Sequence, residues 1–441
     1  MNAAAVDSTG QPTHVRYWIL LYLFLVTTVN FADRATLSIT GTAVSKQFGL
    51  DAVTLGYLFS AFGWAYVVGQ IPGGWLLDRF GSKCVYGWSI TLWSILTLAQ
   101  GVTGWAPVAL AVAMLFALRF LLGLAESPSF PANSRIVASW FPTAERGTAS
   151  AIFNAAQYFA TVLFAPLMGW ITDAFGWPWV FCVMGAIGLA LAAGWSRCIH
   201  SPRVHPRANA AEVAHIAQGG GLVDLDAPGT APAVRWSDIG QLLGRRMMLG
   251  IYLGQYCINT LTWFFLTWFP VYLVKERGFT ILQAGFAAAA PALCGFAGGL
   301  TGGVFSDLLL RRGRSLTMAR KTPIVIGLLL SVSMLACNYV ASPVAVIVFM
   351  SLAFFGKGVG ALGWAVIADT SPRQITGLSG GLFNTFGNVA SITTPIAIGY
   401  IIDGTGSFAG ALVFVSAHAV LAIGSYLVIV GELKRVELRP D

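Results

Sequence analysis

The chain has 441 residues, 56% hydrophobic and only 10% charged, with 50 glycines and a mean hydropathy of +0.72. An average this apolar excludes a soluble globular protein and indicates a polytopic membrane protein. The formal net charge of +8 raises nucleic-acid binding, but basic residues also gather in the cytoplasmic loops of membrane proteins, and here they fall in the breaks between apolar runs.

About 20 apolar residues cross a hydrocarbon core of about 30 Å. The apolar runs predict twelve spans, over 17–44, 52–77, 84–103, 107–138, 147–171, 176–196, 247–273, 281–308, 322–341, 343–368, 376–402 and 407–432. The polar stretch before Tyr17 lacks a cleavable signal pattern, so the first span is expected to be retained. That span carries Asn30-Phe31-Ala32-Asp33-Arg34. A carboxylate and a guanidinium deep in an apolar segment are costly, and such charges face a bundle interior or a wet cavity.

The second span holds Tyr66 and Gln70 and ends in Gly73-Gly74-Trp75-Leu76-Leu77-Asp78-Arg79-Phe80-Gly81-Ser82-Lys83. Its glycines permit close helix approach, and Asp78 can pair with Arg79 or face a helix N-terminus. Arg119 and Glu126 in the fourth span are two helical turns apart and share a face. An acid beside an arginine in such a place changes charge as its partner leaves, which is the logic of proton coupling. A structural ion-pair quartet is the alternative. The fifth span adds Asn154, Gln157 and Tyr158.

Residues 198–244 form the one long polar segment, with Pro202, Pro206, Gly219-Gly220-Gly221 and Pro228. The glycine triplet lacks the Lys-Ser/Thr and strand context of a phosphate loop. The segment reads as a solvated cytoplasmic linker with a short amphipathic helix near Ala210–Ile216. It divides the chain into an N-terminal six-helix bundle (1–197), the linker (198–244) and a C-terminal six-helix bundle (245–441).

The second half places Gln255 and Asn259 in the seventh span, Lys357 and Trp364 in the tenth, and Asn384 and Asn388 in the eleventh. Ala361 and Trp364 follow Lys357 at i+4 and i+7, so all three are expected to share a face. Snorkelling is the other reading of Lys357, weakened because the span continues apolar on both sides. Each polar group alone suits an interhelical hydrogen bond. Together they suit a polyhydroxylated ligand. Three intramembrane cations against two carboxylates leave the bundle at +1, so the cavity should prefer a carboxylated anion, one with an acid at each end in particular.

The halves repeat. Gly147, Phe153, Asn154, Gly169, Ile171 and Asp173 recur 230 residues later as Gly377, Phe383, Asn384, Gly399, Ile401 and Asp403, and Asp78 recurs as Asp307. Parallel six-helix repeats are a transporter architecture with the binding site between the halves. Breaks on the side of the N-terminus hold twenty of the 26 Lys and Arg. The opposite breaks hold Lys46, Lys275 and Arg277, and Arg34, Arg119 and Lys357 lie inside spans. Both termini are therefore expected in the cytoplasm. The six cysteines are scattered, with no disulfide framework or metal-ligand spacing. No His/Glu metal spacing, Ser/His/Asp set or appended soluble domain supports a membrane enzyme or a receptor.

The Gly73–Lys83 motif, with Asp307…Arg311-Arg312 as a weaker copy, resembles the loop signature of the major facilitator superfamily. That resemblance implies a conformational latch of Asp78, Arg79 and Asp307. Asn30-Phe31-Ala32-Asp33-Arg34-Ala35-Thr36-Leu37-Ser38-Ile39 resembles the first-helix signature of the anion:cation symporter family. Arg119-Phe120-Leu121-Leu122-Gly123-Leu124-Ala125-Glu126-Ser127-Pro128, Gly254-Gln255-Tyr256-Cys257-Ile258-Asn259 and Phe354-Phe355-Gly356-Lys357-Gly358 continue it, and the whole is most similar to bacterial glucarate/galactarate permeases. The resemblance implies an all-α, twelve-helix, proton-coupled importer in the bacterial inner membrane, monomeric and without a cofactor, working by alternating access on sugar diacids. Galactonate or hexuronate monocarboxylates are the alternative substrates.

By similarity to galactonate transporters, Asp33 and Glu126 are the expected protonation sites. Arg34, Tyr66, Gln255 and Asn384 are expected to contact the sugar acid, with Arg119 and Gln157 completing the charged and polar network. Two positions depart from those relatives. Phe31 stands where many have Tyr, and Lys357 stands where galactonate-type relatives carry a neutral residue. Lys357 is thus expected to help hold a second carboxylate.

Overall fold

The computed structural model describes residues 11–142, 145–225, 236–372 and 375–437, and among them every regular element is helical. The first half comprises α1 (Val15–Phe48), α2 (Ala52–Phe80), α3 (Ser82–Val102), α4 (Val108–Glu126), α5 (Ser129–Trp140), α6 (Arg146–Phe175) and α7 (Trp177–Cys198). Helices α8 (Ala210–Gln218) and α9 (Trp236–Leu243) lie between the halves. The second half comprises α10 (Arg246–Thr267), α11 (Phe269–Lys275), α12 (Ile281–Arg311), α13 (Leu316–Ser331), α14 (Pro343–Val359), α15 (Gly363–Thr370), α16 (Thr376–Asn388), α17 (Ala390–Thr405) and α18 (Ala409–Gly424).

Among the described residues, ten stretches are long and apolar enough to cross a membrane, and α10 with α11, bent by 49°, makes an eleventh. The twelfth is α3, packed against α4 and α7. Its Thr91 and Ser94 make it less apolar, but their hydroxyls donate to carbonyls of the same helix, Gly87 and Ile90, at 2.9 and 2.7 Å. Such back-bonding lets hydroxyls sit in an apolar bundle. Helix α1 is unbroken for 34 residues. At 1.5 Å per residue it is about 51 Å long and projects beyond a bilayer core. The ninth span starts earlier than expected, because Ser315 caps α13 by accepting the Met318 N–H. Arg320 and Lys321 therefore lie on a helix rather than in a loop.

The broken spans have local causes. Pro128 has no N–H to continue α4, and the Leu124 carbonyl instead accepts the Ser127 N–H and hydroxyl at 3.3 and 2.8 Å. The break falls immediately after Glu126. In the second half the equivalent span parts between α14 and α15 over Gly360-Ala361-Leu362, just after Lys357. Lys357 and Trp364 consequently do not share a continuous helical face. The expectation of one face fails because the glycine-rich run Gly356–Gly363 does not keep a single helix.

Among the described residues of the linker, one face of α8 is docked rather than solvated. Asn209 caps α8, and Glu212 and Ile216 are fully buried. The Glu212 carboxylate accepts the Val15 and Arg16 N–H groups at 2.9 and 3.1 Å, the Thr13 hydroxyl, and the Arg16 guanidinium at 3.4 Å. It thus caps the start of α1, where a carboxylate also meets the positive end of the helix. Burial pushes this carboxyl up, but the donors from Thr13, Arg16 and Val15 outweigh it and hold it below its ordinary 4.5. A depressed carboxyl contributes stability that is present above its unfolded value and lost as pH falls through the folded one. Glu212→Gln should therefore lower the melting temperature by several degrees at pH 7, and the difference from wild type should shrink below about pH 4.5. Thermal unfolding of both proteins across pH 3.5–7.5 tests this.

The halves meet at the end remote from the termini. Ser38 donates to the Thr267 carbonyl at 2.7 Å, the Tyr57 and Tyr400 hydroxyls are 3.3 Å apart, and the Phe59 and Trp268 rings lie edge to face at 5.3 Å. A Cβ at Gly56 would come within 2.6 Å of the Pro395 carbonyl oxygen, so only glycine permits α2 and α17 to touch there. Between described residues, no hydrogen bond joins the halves at the end that carries the termini.

Candidate functional site

In the first half the charged residues converge between α1 and α4. Arg34 Nε donates to Glu126 Oε2 at 2.8 Å, and its terminal nitrogen donates to Asn30 Oδ1 at 3.0 Å. Three rings hold the guanidinium, Phe31, Phe62 and Tyr66, with centroids at 4.9, 4.9 and 4.7 Å. Arg34 and Glu126 are both buried.

Asp33 does not pair with its neighbour. Successive helical positions point about 100° apart, which sends Arg34 to Glu126 and Asp33 elsewhere. Asp33 is 0% exposed, and neither carboxylate oxygen has a hydrogen-bond partner among the described residues. Arg119 reaches the Arg34 backbone carbonyl at 3.4 Å, while its Nε and second terminal nitrogen are likewise without partners. A buried charge lacking both a counter-ion and donors is much costlier than a paired one. The arrangement therefore combines one ion pair, in which Glu126 Oε1 is left without a hydrogen-bond partner among the described residues, with the Asp33 carboxyl and the Arg119 guanidinium, which are incompletely satisfied too.

The second half supplies polar groups from α10, α15 and α16. Gln255 Nε2 donates to Asn259 Oδ1 at 3.0 Å, and Asn388 donates to Asn384 Oδ1 at 3.0 Å. Trp364 is 52% exposed, its ring 5.0 Å from that of Phe383. A Cβ at Gly387 would lie 2.8 Å from both Asn259 Nδ2 and Gln255 Cγ. Gly387→Val should therefore displace both amides and reduce uptake at least about tenfold, with normal amounts of protein in the membrane, as judged by initial rate per inserted molecule.

Gln157 donates to the Asn154 carbonyl at 3.1 Å and lines a cavity between the halves with Phe31, Tyr158, Thr262, Phe265 and Phe354. Lys357 is 5% exposed, with its ammonium 5.2 Å from the Phe354 ring centroid and 5.8 Å from that of Tyr158. Of the expected latch residues, the Asp78 side chain lies outside the described residues. Arg79 stacks on Trp75 and Phe80 of its own helix, with ring centroids at 5.4 and 5.7 Å. Asp307 is 64% exposed and 3.6 Å from Arg320, which bonds Asp369 more closely at 2.8 Å.

Sequence reasoning does not single out Phe62, since a phenylalanine in an apolar run carries no signal of its own. Among the described residues no three His, Cys, Asp or Glu side chains gather as a metal site requires.

Residues 23–395 match the family model described as Major Facilitator Superfamily. The chain belongs to the Major Facilitator Superfamily. It is 62% identical to the "Probable galactarate/D-glucarate transporter GudP" of Bacillus subtilis (strain 168), over 99% of this chain and 96% of that one. It is 60% identical to the protein of the same description in Escherichia coli (strain K12), over 99% and 98%. A "D-galactonate transporter" of Escherichia coli O6:H1 is 40% identical, over 97% and 99%. A solved D-xylose-proton symporter shares the fold with a TM-score of 0.70 at 15% identity, over 95% of this chain and 98% of that one. As a member of this superfamily the chain is a multi-span membrane transporter, not an enzyme.

Proposed function

We propose that this transporter is a proton-coupled symporter that imports aldarates such as D-glucarate and galactarate across a bacterial inner membrane, with both termini in the cytoplasm. The substrate reading is supported by relatives at 60% identity or more that bear those names. The coupling reading rests on one observation, the buried Arg34–Glu126 pair at 2.8 Å beside the unpartnered carboxylate of Asp33. Protons from outside would load Asp33 and Glu126. Neutralising Glu126 would free Arg34 for a substrate carboxylate, and Arg119 would balance whichever carboxylate remains charged. Tyr66, Gln157, Gln255, Trp364, Asn384 and Asn388 would contact hydroxyl groups. The two halves would then rock about the bound substrate, with Asp78, Arg79 and Asp307 latching one state.

Uptake of labelled D-glucarate into proteoliposomes, with and without an inward proton gradient, tests both parts. Accumulation that needs the gradient supports the proposal. Uptake that ignores the gradient sinks the coupling and leaves the substrate. Uptake of D-galactonate or glucuronate but not D-glucarate favours the monocarboxylate reading, which the 40% identical relative also supports.

A further inference from the structure

Lys357 and Glu126 occupy matching places in the two halves. Each lies just before the break of its span, and the two are 231 residues apart where the repeat offset is 230. In the first half that place holds an acid paired with Arg34. In the second it holds a buried cation, and among the described residues no carboxylate lies within 4.0 Å of it. An intramembrane ammonium ordinarily has an anionic or carbonyl partner. Here it rests on two rings instead, Phe354 of its own helix α14 and Tyr158 of α6 in the other half.

The rings that seat the two cations also line one cavity. Phe31, which carries Arg34, and Tyr158 and Phe354, which carry Lys357, are all in its wall, with Gln157 beside them. Its volume is about 50 Å³. That is room for about three or four water molecules, enough for a carboxylate group and too little for a whole six-carbon acid. The body of the substrate therefore has to lie elsewhere between the halves, with one end inserted here.

We propose that Lys357 and Tyr158 form a subsite for the second carboxylate of a dicarboxylate, and that Lys357 sets the preference for diacids over monoacids. This rests on the aldarate reading above. The rings are a holding position for the ammonium in the empty state, by cation–π attraction. An entering carboxylate replaces them with a charge-assisted hydrogen bond from Nζ, and the Tyr158 hydroxyl is the second donor. Because Lys357 and Tyr158 belong to different halves, the distal carboxylate also ties the halves together across the site.

The test is a matched pair. D-gluconate is D-glucarate with one carboxylate replaced by a hydroxymethyl group. Each competes against labelled D-glucarate or D-gluconate in proteoliposomes containing wild type, Lys357→Gln, Lys357→Arg or Tyr158→Phe, with ligand-induced thermal stabilisation of the detergent-solubilised proteins as a second readout. The expected result is that Lys357→Gln lowers the glucarate-to-gluconate affinity ratio at least about tenfold with gluconate binding little changed. Lys357→Arg, which keeps the charge, should retain most of the ratio. Tyr158→Phe, which keeps the ring and loses the hydroxyl, should lower it several-fold. An unchanged ratio in Lys357→Gln overturns the subsite while leaving the aldarate reading intact. A wild type that binds gluconate but not glucarate overturns both. Equal loss of both ligands in Lys357→Gln assigns Lys357 a structural role and overturns the proposal.

Discussion

Glu126→Gln should abolish proton-driven accumulation of D-glucarate while leaving substrate exchange across the same membrane. Glutamine fills the same space and can still accept from Arg34, as Glu126 does at 2.8 Å, but it cannot change its charge. Each coupled proton moving down a gradient of two pH units supplies about 2.7 kcal/mol, enough for about 100-fold accumulation. In the variant the inside-to-outside ratio should fall to about one with the gradient present, whereas counterflow of labelled against unlabelled substrate should persist. Undiminished accumulation by Glu126→Gln would remove this residue from the coupling step and leave Asp33, tested as Asp33→Asn, as the remaining carboxyl.

Arg34→Lys should raise the concentration for half-maximal D-glucarate uptake by about 10- to 100-fold, despite keeping the positive charge. The guanidinium donates at once to Glu126 and Asn30 while lying against Phe31, Phe62 and Tyr66. A planar fork can present separate edges to an acid, an amide and a substrate carboxylate, whereas an ammonium is a point charge without a stacking face. Losing one charge-assisted bond of about 1.5–3 kcal/mol accounts for that range. Initial rates measured over substrate concentration, normalised to inserted protein, decide it. A lysine variant with wild-type affinity would mean that only the charge matters at this position.

The number of spans and the superfamily were legible in the amino-acid sequence, because both rest on local quantities. Apolar length marks a membrane crossing wherever it occurs, and recurrence of glycine, asparagine and aspartate at a fixed offset needs no knowledge of contacts. The charged residues inside spans stood out for the same reason, since their cost depends on the medium and not on the partner. The span breaks were harder to see. Pro128 and the glycines of 356–363 are visible as residues, but whether a helix bends or parts there depends on which neighbours satisfy the freed backbone groups, as Ser127 does for Leu124.

Partnership itself was decided only by the tertiary structure. Asp33 and Arg34 are adjacent in sequence, yet Arg34 bonds Glu126, 92 positions away, because helix rotation turns neighbours apart and packing brings α1 against α4. The seat of Lys357 on Tyr158 joins residues of opposite halves, and the docking of Glu212 under α1 spans 197 positions. A periodic pattern gives the face that a residue occupies, and only the crossing of whole helices determines what that face meets.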